Sequence, residues 1–417
     1  MNEDPGGSAL AALRFPPTVI NLVPTERLRA PSRVKRLRFA SAAEMVASLR
    51  PEAPVHCLRP HAIARLGRWF VRNFPGDVMY AVKTNPDPKV LTWLHRAGIR
   101  HFDAASLAEV RSVAKLFPEA RIYFMHPVKS REAIAEAYFK HGVRHFALDS
   151  HDELQKILHV TGYPDDLALL VRLSIPNDKA AYALSGKFGV KLEEASSLFQ
   201  ATRKAAALFG VCFHVGSQCM DPQSYITTLG YVRDLLTQSD VRLDMLDVGG
   251  GFPSVYPGMT PPPLSDYMQA IRQALAMMPL GPDCRVLCEP GRALVAEGGS
   301  TVARVELRKG RKLYLNDGAF GSLFDAAHTN FRFPVRGIRP DGHFGNDEAP
   351  FTLFGPTCDS MDVLQDAYVL PADIREGDWI EIGQLGAYGA TMRTQFNGFH
   401  TGLPVEVADD PLLSVEL

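Results

Sequence analysis

The sequence lacks several features that would have decided its class early. It has no apolar run long enough to cross a bilayer, so a membrane-spanning protein is not expected. Its six cysteines (Cys57, Cys212, Cys219, Cys284, Cys288, Cys358) form no CxxC pair. That argues against a zinc site and a disulfide framework, and points to reduced thiols in a cytoplasm. No Glu-x-x-His pairing joins His126, His214 or His328, so no metal is expected. Charge of one sign is missing too: 45 Lys and Arg face 46 Asp and Glu, a net charge of -1. Such balance predicts neither a nucleic-acid nor a membrane partner. The first dozen residues are rich in Gly, Pro and Ala without a basic start and apolar core, unlike a secretory signal. Arg27 to Arg38 is basic, as suits a solvated or subunit-packing segment, or a phosphate-binding arm.

What is present has a rhythm. With 46% hydrophobic and 22% charged residues, the chain has the balance of a soluble globular protein, and its 417 residues allow two domains. From Val55 onward, short apolar runs alternate with amphipathic stretches. The runs are Val78–Val82, Arg100–Asp103, Arg121–Phe124, Arg144–Leu148, Leu167–Leu173, Gly210–His214, Leu243–Asp247 and Arg285–Cys288. Eight βα repeats in about 250 residues predict an α/β fold, one (β/α)8 barrel. A doubly wound open sheet is the alternative, but the first strand is not followed by Gly-x-Gly-x-x-Gly. After Gly298 the segments Thr301–Leu307, Leu313–Leu315, Phe351–Phe354, Asp366–Leu370 and Trp379–Ile382 predict a mostly antiparallel β domain. Residues 337–350, rich in Gly, Asp and Pro, predict an exposed loop.

In such a barrel the C-terminal strand ends share one rim. Read in order, those ends carry Lys83, Asp103 (with Ser106 and Glu109 beyond), His126, Asp149, Arg172, His214, Gly249-Gly250-Gly251 and Glu289. A packed rim would tolerate apolar residues, so eight polar or glycine ends point to a site. Lys83 ends a buried strand, where desolvation favours the neutral amine that condenses with an aldehyde. The plain alternative is a lysine reaching out to solvent. The three glycines could bring backbone N–H groups to a phosphate, joined by Ser217 and Arg292, or could simply form a tight turn. Glu289 could hold a protonated pyridine nitrogen or pair with Arg172 or Arg292. His214 could stack on an aromatic cofactor or be structural. Lysine, phosphate cradle and ring carboxylate together are what pyridoxal 5'-phosphate needs.

These residues also carry a resemblance. The motifs are Tyr80-Ala-Val-Lys83-Thr-Asn85, Phe102-Asp103-Ala-Ala-Ser106-x-x-Glu109, Ser185-Gly-Lys187-Phe-Gly189, His214-Val-Gly-Ser217, Asp247-Val-Gly-Gly-Gly251-Phe-Pro, Glu289-Pro-Gly-Arg292, Asn316-Asp317-Gly and Gly355-Pro-Thr-Cys358-Asp359. In order and from about Val55 to Phe399, the set resembles the fold type III pyridoxal-phosphate decarboxylases, the ornithine, diaminopimelate and arginine decarboxylase group, nearest its ornithine branch. The resemblance implies an alanine-racemase-like barrel over 59–297 and a β domain over 298–417, completed by segment 30–58 and preceded by an extension, 1–29. It implies a head-to-tail homodimer with shared active sites. Lys83 would bind the cofactor aldehyde, Glu289 its ring nitrogen and His214 its ring face. Ser217, Gly249, Gly250, Gly251, Arg292 and Tyr388 would hold its phosphate, and Asp103, Arg172 and Glu109 would give support.

Cys358 would protonate the α-carbon after CO2 leaves, acting in the other subunit's site. Asp359 and Asp325 would bind the distal ammonium of the substrate. The loop before Asp325 is shorter than in the eukaryotic pattern, and Phe320 stands where that pattern has Tyr. Outside this resemblance Cys358 would read as a buried free thiol and Asp359 as a turn residue.

The implied activity is decarboxylation of L-ornithine to putrescine, a step of polyamine biosynthesis. Lysine, or both amino acids, is the alternative. Diaminopimelate comes next, although its enzymes usually carry Cys-Glu-Ser where Cys358-Asp359-Ser360 stands here. A racemase on this fold would need a second acid/base, usually a tyrosine, across the ring. A catalytically inactive regulatory homologue would be free to lose Lys83, the glycines and Cys358, all of which are kept.

Overall fold

The alternation of the first apolar run sets the architecture. Val78, Tyr80 and Val82 face an outer core, while Met79 faces an inner one. A computed structural model describes residues 36–175, 180–182, 186–330, 332–364, 367–399 and 402–417. Residues 1–35, with most of the basic stretch from Arg27, lie outside the described residues, as do Ser185 and Asp366.

Eight parallel strands close a barrel in chain order: β1 (Asp77–Ala81), β2 (His101–Ala104), β3 (Arg121–Phe124), β4 (His145–Leu148), β5 (Ala168–Arg172), β6 (Leu208–Cys212), β7 (Met245–Asp247) and β8 (Arg285–Cys288). β8 pairs back to β1 through Leu287 beside Asp77 and Cys288 beside Val78. The expected doubly wound alternative is thereby excluded. The intervening helices begin where serines can cap them. Ser106, Ser130 and Ser150 accept from the backbone N–H groups of Glu109, Ala133 and Glu153. Gly142 and Gly162 end two of these helices in the left-handed conformation.

The period of two positions the site. Phe102, Leu169, Val171, Phe209, Val211 and Leu246 point outward under the helices. Tyr123, Ala147, Leu170, Cys212, Met245 and Leu287 fill the barrel interior. Two residues beyond an inward residue is inward again. Asp103, Arg172, His214, Asp247 and Glu289 therefore continue the interior series upward to the mouth. β1 ends at Ala81, one residue earlier than expected, and Val82–Thr84 forms a single 3₁₀ turn that carries Lys83.

The second sheet is mixed. The strand Gly299–Lys309 pairs antiparallel with Val55–Leu58, Lys312–Leu315 and Trp379–Ile382. Val335–Ile338 joins Trp379–Ile382, and Glu348–Phe354 joins Tyr368–Pro371, also antiparallel. The parallel pairs are Lys312–Leu315 with Glu348–Phe354, and Leu403–Val407 with both Val55–Leu58 and Arg38–Phe39. Two strands correct the reading of 337–350 as loop: both of its ends are strand, and only residues 339–347 are irregular. Buried Arg59 follows Val55–Leu58 and fixes it to the sheet. It donates to Ser300 Oγ at 2.9 Å and Glu381 Oε1 at 2.8 Å. Removing one partner of such a buried pair costs about 3–5 kcal/mol.

Candidate active site

The barrel mouth opens into a cavity of 490 Å³. Its walls bring together Lys83, Asp103, Arg172, His214, Ser217, Glu289, Arg292, Asp325 and Tyr388, nine residues expected from sequence. Lys83 Nζ lies 3.0 Å from Asp103 Oδ2. The lysine is deep in the fold, yet 42% of its side chain is accessible because it borders the cavity. Burial pulls its pKa down, but Asp103 and Glu289 outweigh burial and hold it above the ordinary lysine range. The structure thus differs from the expectation of a neutral amine. The reason is a carboxylate twenty residues away that desolvation arguments on one strand leave out.

Glu289 shows the opposite balance. It is 3% exposed, and burial, Asp247 and Asp103 push its carboxyl well above the usual range. Its side chain hydrogen-bonds Asp247, whose own pKa is pushed up to about 6, chiefly by burial. Among the described residues Glu289 Oε1 has no hydrogen-bond partner, and Glu289 forms no salt bridge to Arg172 or Arg292. A buried, unpartnered carboxyl oxygen at a cavity is suited to a ring nitrogen that brings its own hydrogen-bonding capacity.

His214 is kept neutral, well below the ordinary histidine range, by burial and then by Arg172 and Lys83. Its Nδ1 accepts from Gly216 N at 2.9 Å, so Nε2 carries the proton. Gly249–Gly251 lies behind it and does not line the cavity. These glycines are required on two counts. Gly249 and Gly251 have φ of +71° and +104°, and a Cβ on Gly250 would come within 2.9 Å of His214 Nε2. The triplet is therefore a close-packed turn as well as a possible source of N–H donors.

Arg292 Nη1 donates to Asp325 Oδ2 at 2.8 Å and to Tyr256 Oη at 2.7 Å. Its guanidinium lies 5.1 Å from the ring centre of Tyr388. Tyr388 itself has φ of +56°, a costly backbone for a tyrosine, about 1–3 kcal/mol. It is held there because its N–H donates to Thr84 O at 3.0 Å, while Asn85 Nδ2 donates to Gly386 O at 2.8 Å. The Lys83 turn and the Gly386–Tyr388 loop therefore position each other. Glu109 does not reach the cavity. It accepts from Ala105 N at 2.7 Å, one residue before the N-cap Ser106, whose Oγ in turn accepts from Glu109 N, so the Ser-x-x-Glu spacing closes the start of the helix.

Cys358 and Asp359 are not brought to this cavity. Cys358 is exposed rather than buried, with its N–H and Sγ 3.2 and 3.4 Å from Asn397 Oδ1. Asp359 Oδ1 accepts from Met361 N. Their loop is shaped by Asp362, 2% exposed, which accepts from Thr357 N, Thr357 Oγ1 and Ala319 N. Sequence reasoning missed Asp362, Tyr256 and Asp247. Only Asp247, which opens the Asp-Val-Gly-Gly-Gly motif, left a sequence signal. The other cavity residues not singled out include Met125, Phe324 and Met392.

Lys83 facing the cavity, the buried Glu289 carboxyl in its wall and neutral His214 fit pyridoxal phosphate. Comparison with known proteins agrees. Residues 61–296 match the family described as pyridoxal-dependent decarboxylase, pyridoxal binding domain, and residues 231–386 its C-terminal sheet domain. A lysine/ornithine decarboxylase of Selenomonas ruminantium is 31% identical over 83% of this chain and 87% of its own. An ornithine decarboxylase of Schizosaccharomyces pombe is 32% identical over 84% and 82%. The crystal structure of a lysine/ornithine decarboxylase from Vibrio vulnificus, complexed with putrescine, is 31% identical. It aligns with a TM-score of 0.76 over 88% of this chain and 99% of that one. The chain belongs to the pyridoxal-dependent decarboxylases and is a pyridoxal-phosphate-dependent amino-acid decarboxylase.

Proposed function

We propose that the enzyme removes CO2 from a basic L-amino acid, foremost L-ornithine, to give the diamine putrescine. The observation that carries this reading is a carboxylate, Asp325, at the wall of the Lys83 cavity, with a second, Asp359, beside the only exposed cysteine. A distal ammonium needs such acceptors, whereas a distal carboxylate would need a cation. The names of the relatives, which pair ornithine with lysine, support a basic substrate.

Bound pyridoxal phosphate supplies an aldehyde for an amine and an electron sink for the bond to CO2. The chain's own residues do the rest. Lys83 Nζ gives up a proton before it can act as a nucleophile, and Asp103 Oδ2, 3.0 Å away, orients it at the cavity. Glu289 presents its carboxyl at the site intended for the ring nitrogen. His214 offers a flat, uncharged face, and Arg292, Ser217 and Tyr388 surround the site intended for phosphate. Cys358 delivers a proton to the α-carbon.

That last step requires a second copy of the chain, because Cys358 and Asp359 stand outside the cavity of their own subunit. Met361, Phe396 and Phe399, 63%, 40% and 47% exposed, flank the Cys358 loop and Asn397. Apolar exposure of this kind suits a surface that another copy covers. We place the shared site in a homodimer on this ground.

The test is CO2 release with pyridoxal phosphate from L-ornithine, L-lysine, L-arginine and meso-diaminopimelate. Ornithine is expected to be fastest. Lysine differs by one methylene, about 1–3 kcal/mol of pocket fit, and should follow within a factor of about 200. Release from diaminopimelate alone would defeat the role given to Asp359.

A further inference from the structure

Two residues that this reading gives to different ligands are bound to each other. Arg292, intended for phosphate, holds Asp325, intended for the substrate ammonium, at 2.8 Å. Their side chains are 7% and 11% exposed, and both border the cavity. The segment Phe324–His328 is a short helix whose end is pinned, since Asp325 O accepts from Thr329 N and Oγ1. The backbone of Asp325 is thereby fixed at the cavity wall, and its carboxylate is held there by Arg292. Tyr256 holds the same nitrogen of Arg292, so the guanidinium keeps a support of its own.

We infer that Asp325 is an internal counter-ion of the phosphate site, which links phosphate binding to binding of the substrate's distal ammonium through Arg292. The inference rests on the reading that Arg292 takes the phosphate and Asp325 the ammonium. One guanidinium carries one positive charge. While Asp325 holds it, that carboxylate is largely neutralised and a cation gains little from approaching. A phosphate brings more than one negative charge to the same guanidinium. Asp325 is then left in excess, and an uncompensated buried charge is costly. An ammonium restores the balance. Each ligand should therefore strengthen the other by the same factor.

The experiment uses full-length apoprotein and pyridoxine 5'-phosphate, which has the phosphate and ring but no aldehyde to react with Lys83. Calorimetry should show Asp325→Asn binding this probe about ten-fold tighter than wild type. In wild type, N,N,N',N'-tetramethylputrescine, a dication without a primary amine, should tighten the probe by a similar factor, and Asp325→Asn should abolish that effect. The second measurement needs no variant to fold. Unchanged or weaker probe binding by a folded Asp325→Asn overturns the inference, as does a wild type indifferent to the dication. The holoenzyme separates the two levels. A raised KM for ornithine with unchanged probe affinity removes the linkage and leaves the ammonium role. If neither moves, the ammonium role falls too.

Discussion

The barrel mouth and the Gly355–Asp362 loop both carry reactive side chains, under opposite conditions. At the mouth Asp103 and Glu289 are 1% and 3% exposed, and burial, then Asp247 and Asp103, raise the pKa of Glu289. On the loop Cys358 is exposed, and its fixed partner is an amide oxygen of Asn397. The mouth is assembled by strand parity within one chain. The loop is held rigid by Asp362 but faces outward. The difference teaches that, in the proposed shared site, one chain builds the cofactor half and only presents the other half.

Changes at the mouth should have the largest effect. Lys83→Ala should lower CO2 release by about 10⁴-fold or more and abolish the absorbance of lysine-bound cofactor, because it removes the amine beside Asp103 at the end of the first barrel strand. Retention of that absorbance would move the role to Lys187, the other lysine of the cavity wall. Next comes the loop. Cys358→Ala should reduce kcat by about 10²–10⁴-fold while cofactor absorbance and affinity stay unchanged, as expected for a lost proton donor. A parallel loss of cofactor would erase the distinction between the two regions.

A smaller effect sharpens the comparison from the loop's side. Asp362→Asn should weaken the anchor of the loop, cost about 1–3 kcal/mol in urea unfolding, and lower kcat without changing cofactor affinity. The smallest isolates the mouth. Asp247 binds its proton more tightly folded, at about 6, than at its ordinary value of 3.8. Between those values the native state holds more protons, so this group's contribution to stability is present at low pH and lost as pH rises through about 6. Asp247→Asn should therefore gain stability relative to wild type between pH 4.5 and pH 7 in the apoprotein. An equal difference at both pH values would show that the carboxyl is not perturbed.

Much of the mouth was legible because it obeys two periodicities. The βα rhythm fixed the number of strands, and the period of two carried Asp103, Arg172, His214 and Glu289 to one rim. What was illegible depends on closure between distant segments. The charge on Lys83 is decided by Asp103, which no local pattern couples to it. Tyr256 sits in the irregular stretch after Phe252, with neither periodicity, yet it holds Arg292. Asp362 lies beyond the Gly-Pro-Thr-Cys-Asp motif and acts on Thr357 and Ala319 only once the loop has folded. The strand Leu403–Val407 was hidden by Pro404, since proline rarely sits between two paired neighbours.

The most direct test of a site shared between two copies is to mix two inactive variants. Lys83→Ala keeps an intact loop, and Cys358→Ala keeps an intact mouth. Unfolded and refolded together with pyridoxal phosphate, they should form hybrids in which one site has both halves intact, and CO2 release from L-ornithine should reappear where neither variant alone supports it. Hybrids verified by differential tags that remain inactive would contradict the account, and would place the proton donor within the same chain as Lys83.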